Sequence, residues 1–160
     1  MITYEYLKLG PNDLQRMRDL LAAFAEAFDE PNTYLSAQPG DSYLRNLLGK
    51  NHFIALTAMN GDEVVGGLTA YVLDKFEQER SEIYIYDLAV AKAHRRKGMA
   101  TALIRFLQSI AMSYNAWVIF VQADTSDKAA IKLYASMGRR EDVHHFDIPV
   151  SIGLAHPDVG

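Results

Sequence analysis

The stretch Glu82 to Arg105, EIYIYDLAVAKAHRRKGMATALIR, constrains the fold more than any other part of the chain. Glu82 to Ala91 is rich in β-branched and aromatic residues and predicts a buried central strand. Ala93 to Ala100 is a short basic loop with Gly98 in its middle. Met99, Leu103, Phe106, Leu107, Ile110 and Tyr114 then recur at helical spacing. A strand, a basic glycine loop and a helix start together offer backbone N–H groups and a helix N-terminus to a phosphate. Arg95, Arg96 and Lys97 add three cations, a set that suits a pyrophosphate. The loop matches neither a Walker sequence nor GxGxxG, and the same residues would also make an ordinary solvated basic turn.

Around that stretch the pattern predicts β-α-α-β-β-β-α-β-α-β. Ile2 to Leu9 reads as a first strand. Asn12 or Asp13 can cap a helix with apolar positions Leu14, Met17, Leu21, Phe24 and Phe28. Asp29 to Gly40, with two prolines, reads as a loop, and Asp41 starts a short helix through Leu44, Leu47 and Leu48. His52 to Met59 and Val64 to Leu73 flank the hairpin turn Asn60-Gly61. Trp117 to Ala123 is a further strand, and Ser126 or Asp127 starts a helix with Ala130, Leu133, Tyr134 and Met137 that stops at Gly138. Val143 to Val150 reads as a last strand and residues 151–160 as a loose tail. The expected fold class is α/β: one domain over 1–150, a mixed sheet with helices on both faces. A helical crossover makes the central strand and Trp117 to Ala123 parallel neighbours.

At 160 residues the chain is long enough for one well-buried core. It has no cysteine, which excludes a cysteine nucleophile and a thiolate metal site. The net charge of −4 argues against general nucleic-acid binding and fits a cationic partner weakly. No apolar run approaches a membrane span, and MITYEYLKLG lacks the marks of a secretory signal, so the expected location is cytoplasmic. His144 and His145 lie near Asp142 and Asp147, but adjacent strand residues point to opposite faces, so no metal is expected there.

Two motifs then stand out together. Arg95, Gly98 and Ala100 form R-x-x-G-x-A after Leu88-Ala89-Val90, which resembles the acetyl-CoA motif of the GNAT N-acetyltransferase superfamily. Asp127-Lys128-Ala129-Ala130-Ile131-Lys132-Leu133-Tyr134 followed by Gly138 resembles that superfamily's N-x-x-A-x-x-L-Y-x-x-x-G helix, with aspartate in place of asparagine. From about Leu9 to Ile148, including VQAD and HFDI, the chain is similar to aminoglycoside 3-N-acetyltransferases of the GNAT type. Such enzymes acetylate an amine of the 2-deoxystreptamine ring.

The resemblance implies acetyl-CoA as donor, no metal, and parallel strands 4 and 5 that splay apart. Pantetheine would lie against the main chain of Leu88, Ala89 and Val90. The pyrophosphate would rest on Arg96, Lys97, Gly98, Met99, Ala100 and Thr101, with Arg95 at the entry. Asp127, Ala130 and Tyr134 complete the donor side, and Tyr134 matches the tyrosine that can protonate the leaving thiolate. An amine nucleophile needs a base, for which Glu82 and Asp87 are the candidates. Five residues apart, they face opposite sides of a regular strand and share one only if a bulge intervenes. Asp87, unexpected in an apolar run and beside the pantetheine-binding residues, is favoured; the lesser alternative is a buried carboxylate satisfied by a neighbouring helix cap or tyrosine.

A polyammonium acceptor implies carboxylates and polar aromatics around the cleft. Glu26, Asp29, Glu30 and Asp41 in the early helices and their loop are candidates, with Tyr84, Tyr86, Asp124, Glu141 and Asp142 at strand ends. The partner is then an aminoglycoside or another cationic small-molecule amine, with no nucleic acid and no membrane. Superfamily relatives are often dimers, which makes a homodimer the associated expectation. The alternatives are acetylation of another small polyamine, or a non-catalytic acyl-CoA-binding regulator.

Overall fold

The computed structural model describes Met1 and residues 3–151. It divides into two compact units, residues 1–124 and the chain from Thr125 on. The first unit runs β1 (Glu5–Lys8), α1 (Leu14–Phe28), α2 (Pro31–Leu35), α3 (Asp41–Leu48), β2 (Phe53–Asn60), β3 (Glu63–Asp74), β4 (Ser81–Val90), α4 (Met99–Ala111) and β5 (Ala116–Val121). One-turn 3₁₀ segments at Lys92–His94 and Met112–Tyr114 flank α4. The second unit contains α5 (Lys128–Ala135). No described helix is long and apolar enough to cross a membrane.

The five strands form one sheet in sequence order, antiparallel from β1 to β4, with β5 parallel to β4. Two adjacent glycines show that helices cover both faces, because neighbouring strand residues point opposite ways. A Cβ on Gly67 would meet Leu20 Cδ1 of α1 at 2.6 Å, and one on Gly66 would meet Met99 Sδ of α4 at 3.3 Å. The core follows the helical spacing of the sequence. Met17, Leu20 and Phe24 of α1 are buried with Leu44 and Leu48 of α3. On the other side Met99, Leu103, Ile104 and Leu107 of α4 are buried. Covered on both sides, β2 buries every residue from Phe53 to Met59, as a central strand should.

Three expectations need correction. Val143 to Val150 forms no strand; a strand persists only through ladder partners. Val143, Phe146 and Ile148 remain exposed, and the preceding Arg139 and Arg140 close short ion pairs with Glu141 and Asp142. The stretch read as a loop from Asp29 to Gly40 contains α2, started by Pro31 at its first turn, where proline loses no helical hydrogen bond. Asp13 stands at the N-cap of α1, yet its carboxylate accepts from the Gly10 N–H at 2.8 Å and the Arg16 guanidinium at 2.8 Å and caps no backbone N–H of the helix. Asp127, by contrast, caps α5 through the Ala130 N–H at 3.0 Å. The strand expected from Ile2 is observed from Glu5; Ile2 and residues 152–160 of the expected tail lie outside the described residues.

Candidate active site

β4 carries the geometry on which the site depends. Asp87 pairs with Thr69 of β3, while Ile85 pairs with the next residue, Ala70, so Tyr86 is one residue too many. This bulge re-aims the strand. Residues that pair with Thr69 and Tyr71 share a face, so Tyr84 and Asp87 lie together on the side covered by α1. Glu82, two residues before Tyr84, shares that face as well. The parallel ladder with β5 ends at Ile85 and Val121, and beyond the bulge Asp87 to Val90 continue against β3 alone. A gap therefore opens between β4 and β5 at their C-terminal ends, beside strand amides that need partners.

The two acids fare differently. Glu82 lies about 15 Å down the strand from Asp87 at ~3.3 Å per residue. Its carboxylate accepts from Trp117 Nε1 at 3.2 Å and faces Lys75 Nζ at 3.8 Å. Asp87 is half-buried beside the gap and accepts a hydrogen bond from Tyr34 Oη of α2 at 3.1 Å. Burial raises its pKa above the usual carboxylate value; the Tyr34 hydrogen bond opposes this, and the charge of Glu30 adds to it.

Four tyrosines surround this carboxylate. Burial, followed by the charge of Asp87, raises the pKa of Tyr34 above the ordinary phenol value. Tyr71 is raised by burial and then by Tyr43, Tyr86 and Asp87. Tyr84 is raised by burial and then by Tyr86 and Asp87. Tyr86, 63% exposed, sits edge-on to Tyr71 at 5.9 Å and to Tyr84 at 5.8 Å. Tyr84 itself stacks on Phe120 at 4.8 Å and donates to Gln122 Oε1 at 3.0 Å. The raised values keep the phenols of Tyr34, Tyr71 and Tyr84 protonated at neutral pH, and the aromatic faces together with the carboxylates suit hydroxyls and ammonium groups.

Of the proposed acceptor residues, Glu30, Tyr84 and Tyr86 come together with Asp87. Glu26 and Asp29 are exposed near the end of α1, where Asp29 caps the helix in a left-handed conformation. Asp41 is engaged elsewhere: the hydrogen bond from Arg18, 2.6 Å long, holds its carboxyl below the usual range. Asp124 lies just past β5, at the end of the first unit. Glu141 and Asp142 are in the second unit, paired with Arg139 and Arg140 at 2.9 and 2.7 Å. Tyr34 and Tyr71 were not among the residues singled out from sequence. Pro31 after Glu30 was the available signal for Tyr34, since it marks a helix start in what otherwise reads as loop.

The loop after β4 is built for an anion. Arg95 Nε donates to the carbonyl of Val90 at 3.0 Å and holds the loop against the strand end. Arg96 (φ 62) and Gly98 (φ 76) are both left-handed, with Lys97 between them. Alternating handedness of this kind turns successive N–H groups into an anion-binding concavity. The first intrahelical bond of α4 runs from Ala102 N–H to the Gly98 carbonyl at 3.0 Å. The N–H groups of Met99, Ala100 and Thr101 are thus left for a ligand or solvent. A Cβ on Gly98 would meet nothing within 4 Å, so the approach is open. This loop fits a pyrophosphate.

In the second unit, Tyr134 is half-buried on α5, and burial together with the charge of Asp127 pushes its pKa up to about 12. Among the described residues no cluster of three or more His, Cys, Asp or Glu forms a metal site, and His145 Nε2 lies 3.0 Å from Asp147.

Residues 14–138 match the model of the acetyltransferase (GNAT) family. The chain belongs to that family. Its mixed sheet with parallel β4 and β5, flanked by helices, is the GNAT fold, and acetyl transfer from acetyl-CoA is the chemistry of GNAT acetyltransferases. An aminoglycoside acetyltransferase from an uncultured soil metagenomic sample is 55% identical, with a TM-score of 0.92 over 94% of this chain and 100% of that one. A second soil metagenomic aminoglycoside acetyltransferase, solved in complex with sisomicin, is 31% identical, with a TM-score of 0.86 over 92% and 97% of the two chains. Rat N-acetyltransferase 8B is 28% identical over 89 residues, 56% of this chain and 40% of that protein. This chain's match thus spans only about two fifths of that curated relative.

Proposed function

We propose that this GNAT protein acetylates an aminoglycoside on the 3-amino group of its 2-deoxystreptamine ring and so confers resistance. Transfer is direct, with donor and acceptor bound together. The observation that carries this reading is the half-buried Asp87, ringed by Tyr34, Tyr71, Tyr84 and Tyr86 and faced by Glu30, beside the β4–β5 gap. The likeness to two aminoglycoside acetyltransferases supports it.

Acetyl-CoA supplies an acetyl group activated as a thioester. Met99, Ala100 and Thr101 hold its pyrophosphate through their N–H groups, with Arg96, Lys97 and Gly98 completing the cradle. Leu88, Ala89 and Val90 offer main-chain groups to its pantetheine arm. An ammonium is no nucleophile, so Asp87 takes one proton from the acceptor amine. A raised carboxyl pKa, caused first by burial, makes Asp87 a better base than an exposed aspartate. Tyr134 Oη gives its proton to the departing sulfur; with a pKa of about 12 it is fully protonated beforehand. Glu82, bound by Trp117 and Lys75, has a structural part in this scheme and holds the N-terminal half of β4.

The test uses purified protein, acetyl-CoA and a panel of gentamicin, sisomicin, kanamycin and spermidine, with free thiol measured and the acetylated nitrogen assigned by NMR. Thiol release with gentamicin or sisomicin and acetylation at N3 are expected. Release with spermidine alone would redirect the reading to another polyamine, and no release with any amine would leave an acyl-CoA-binding protein.

A further inference from the structure

Asp87 is held by a residue that the motifs do not reveal. Tyr34 lies on α2 with its ring against Phe24 and Phe28 of α1, at centroid distances of 5.8 and 5.9 Å. That aromatic stack fixes where the phenol points, and its O–H donates to Asp87 Oδ2 at 3.1 Å. Among the described residues, Oδ1 of Asp87 accepts no protein hydrogen bond. The other phenols make different contacts: Tyr84 Oη donates to Gln122, Tyr71 packs its ring on Phe53 and Tyr86, and Tyr86 meets Tyr71 and Tyr84 through its ring.

We propose that Tyr34 is a positioning residue for acetyl transfer, pinning Oδ2 of Asp87 so that Oδ1 is the oxygen presented to the acceptor amine. This rests on the reading of Asp87 as the base. It gives α2 a task, because the short helix carries the base's partner across from α1 to the sheet. Several groups bear on Asp87: Glu30 and Tyr34 from the start and body of α2, Tyr71 from β3, and Tyr84 and Tyr86 from β4. Tyr43 of α3 reaches the cluster through Tyr71. Of these, Tyr34 alone donates a hydrogen bond to the carboxylate among the described residues. Burial and the Asp87 charge keep that phenol protonated, so it remains a donor to the ionised carboxylate.

Tyr34→Phe keeps the ring in its stack and removes only the O–H. The side-chain carboxyl of Asp87, followed by ¹³C NMR in labelled protein, should titrate higher in the variant by roughly one pH unit, since two or three such bonds lower a carboxyl by about two. The acid limb of kcat/KM should move up with it, kcat should fall about tenfold, and the KM for sisomicin and the melting temperature should hardly change. In an Asp87→Asn background the same substitution should have almost no further effect, because a residue that acts only through Asp87 has nothing left to position. An unmoved carboxyl titration, a loss confined to KM, or full additivity of the two substitutions would each overturn the proposal. The NMR titration needs no turnover, so a protein that acetylates nothing would sink the functional reading while still testing the Tyr34 contact.

Discussion

The donor side and the acceptor side of this site are built in opposite ways. The proposed donor side is contiguous: Leu88 to Thr101 would supply the strand rail, the cradle and the helix start, and what it offers is mainly backbone. The acceptor side is assembled from distance. Asp87 meets Tyr34 from 53 residues away, Tyr71 arrives by the β3–β4 pairing, and Glu30 by the turn after α1. A backbone site depends on φ and open space, and a side-chain site on functional groups. Substitutions on the two sides should therefore fail differently, one losing acetyl-CoA affinity and the other losing turnover.

The largest break on the acceptor side should come from Asp87→Asn. It keeps the size of the side chain and a hydrogen-bond acceptor for Tyr34, but cannot take a proton. Turnover with sisomicin should drop by about 10²–10⁴, the usual worth of a general base, while acetyl-CoA affinity by calorimetry stays within about twofold. Turnover close to wild type would remove Asp87 from the mechanism.

The matching break on the donor side is Gly98→Val. A β-branched residue at φ 76 is strained whatever the space around it, at a cost of about 1–2 kcal/mol. Its side chain would also stand where the pyrophosphate approaches. Acetyl-CoA affinity should fall about 100-fold, worth about 2.7 kcal/mol and thus more than the conformational cost. Gly98→Asn, which tolerates the left-handed region better, should lose less stability. If Gly98→Val lost as much folding free energy as binding free energy, the two-sided picture would be wrong at its simplest point.

The same contrast explains what could be read from the sequence. The β2–β3 hairpin, both α1 and α4, the parallel β4–β5 pair and the glycine loop between β4 and α4 were legible, because each follows from local periodicity, a glycine or a short crossover. The bulge was legible only as a condition, the one under which two acids five apart could share a face; its place at Tyr86 comes from the pairing with Thr69 and Ala70. Tyr34 was hidden because Pro31 can signal the start of α2 but not that the helix folds its tyrosine against Phe24 and Phe28 and onto Asp87. Asp41 looked like an acceptor residue, but a charge on a helix start says nothing of an arginine 23 residues earlier that claims it. Val143 to Val150 alternates as a strand would, yet alternation supplies no ladder partner.

Tyr134→Phe would sharpen the comparison, because the part proposed for Tyr134 in acetyl transfer is played by a side chain. About a tenfold loss of kcat with normal acetyl-CoA affinity is expected, the sign of a group used only as the thiolate leaves. An acid must be protonated to work and fails above its pKa. With that pKa near 12, the wild-type profile should show no basic limb from Tyr134 below about pH 11. Unaltered kcat in the variant would return Tyr134 to a packing role.

The smallest effect expected is at Glu30, whose charge acts on Asp87 without bonding to it. The sign follows from like charges. Glu30 disfavours the ionised form of Asp87 and contributes to its raised pKa, so Glu30→Gln should lower that pKa and move the acid limb of kcat/KM to lower pH. Tyr34→Phe should move the same limb upward, which makes the two variants opposite tests of one carboxylate. Glu30 is exposed, so its influence passes through solvent and should be screened by salt, the Debye length falling to about 3 Å at 1 M. Wild type and Glu30→Gln should then converge at high ionic strength, whereas the Tyr34→Phe shift, which comes from a direct hydrogen bond, should persist. A Glu30→Gln shift that survives 1 M salt would mean that Glu30 reaches Asp87 by contact, and that the acceptor side is more tightly closed than this arrangement requires.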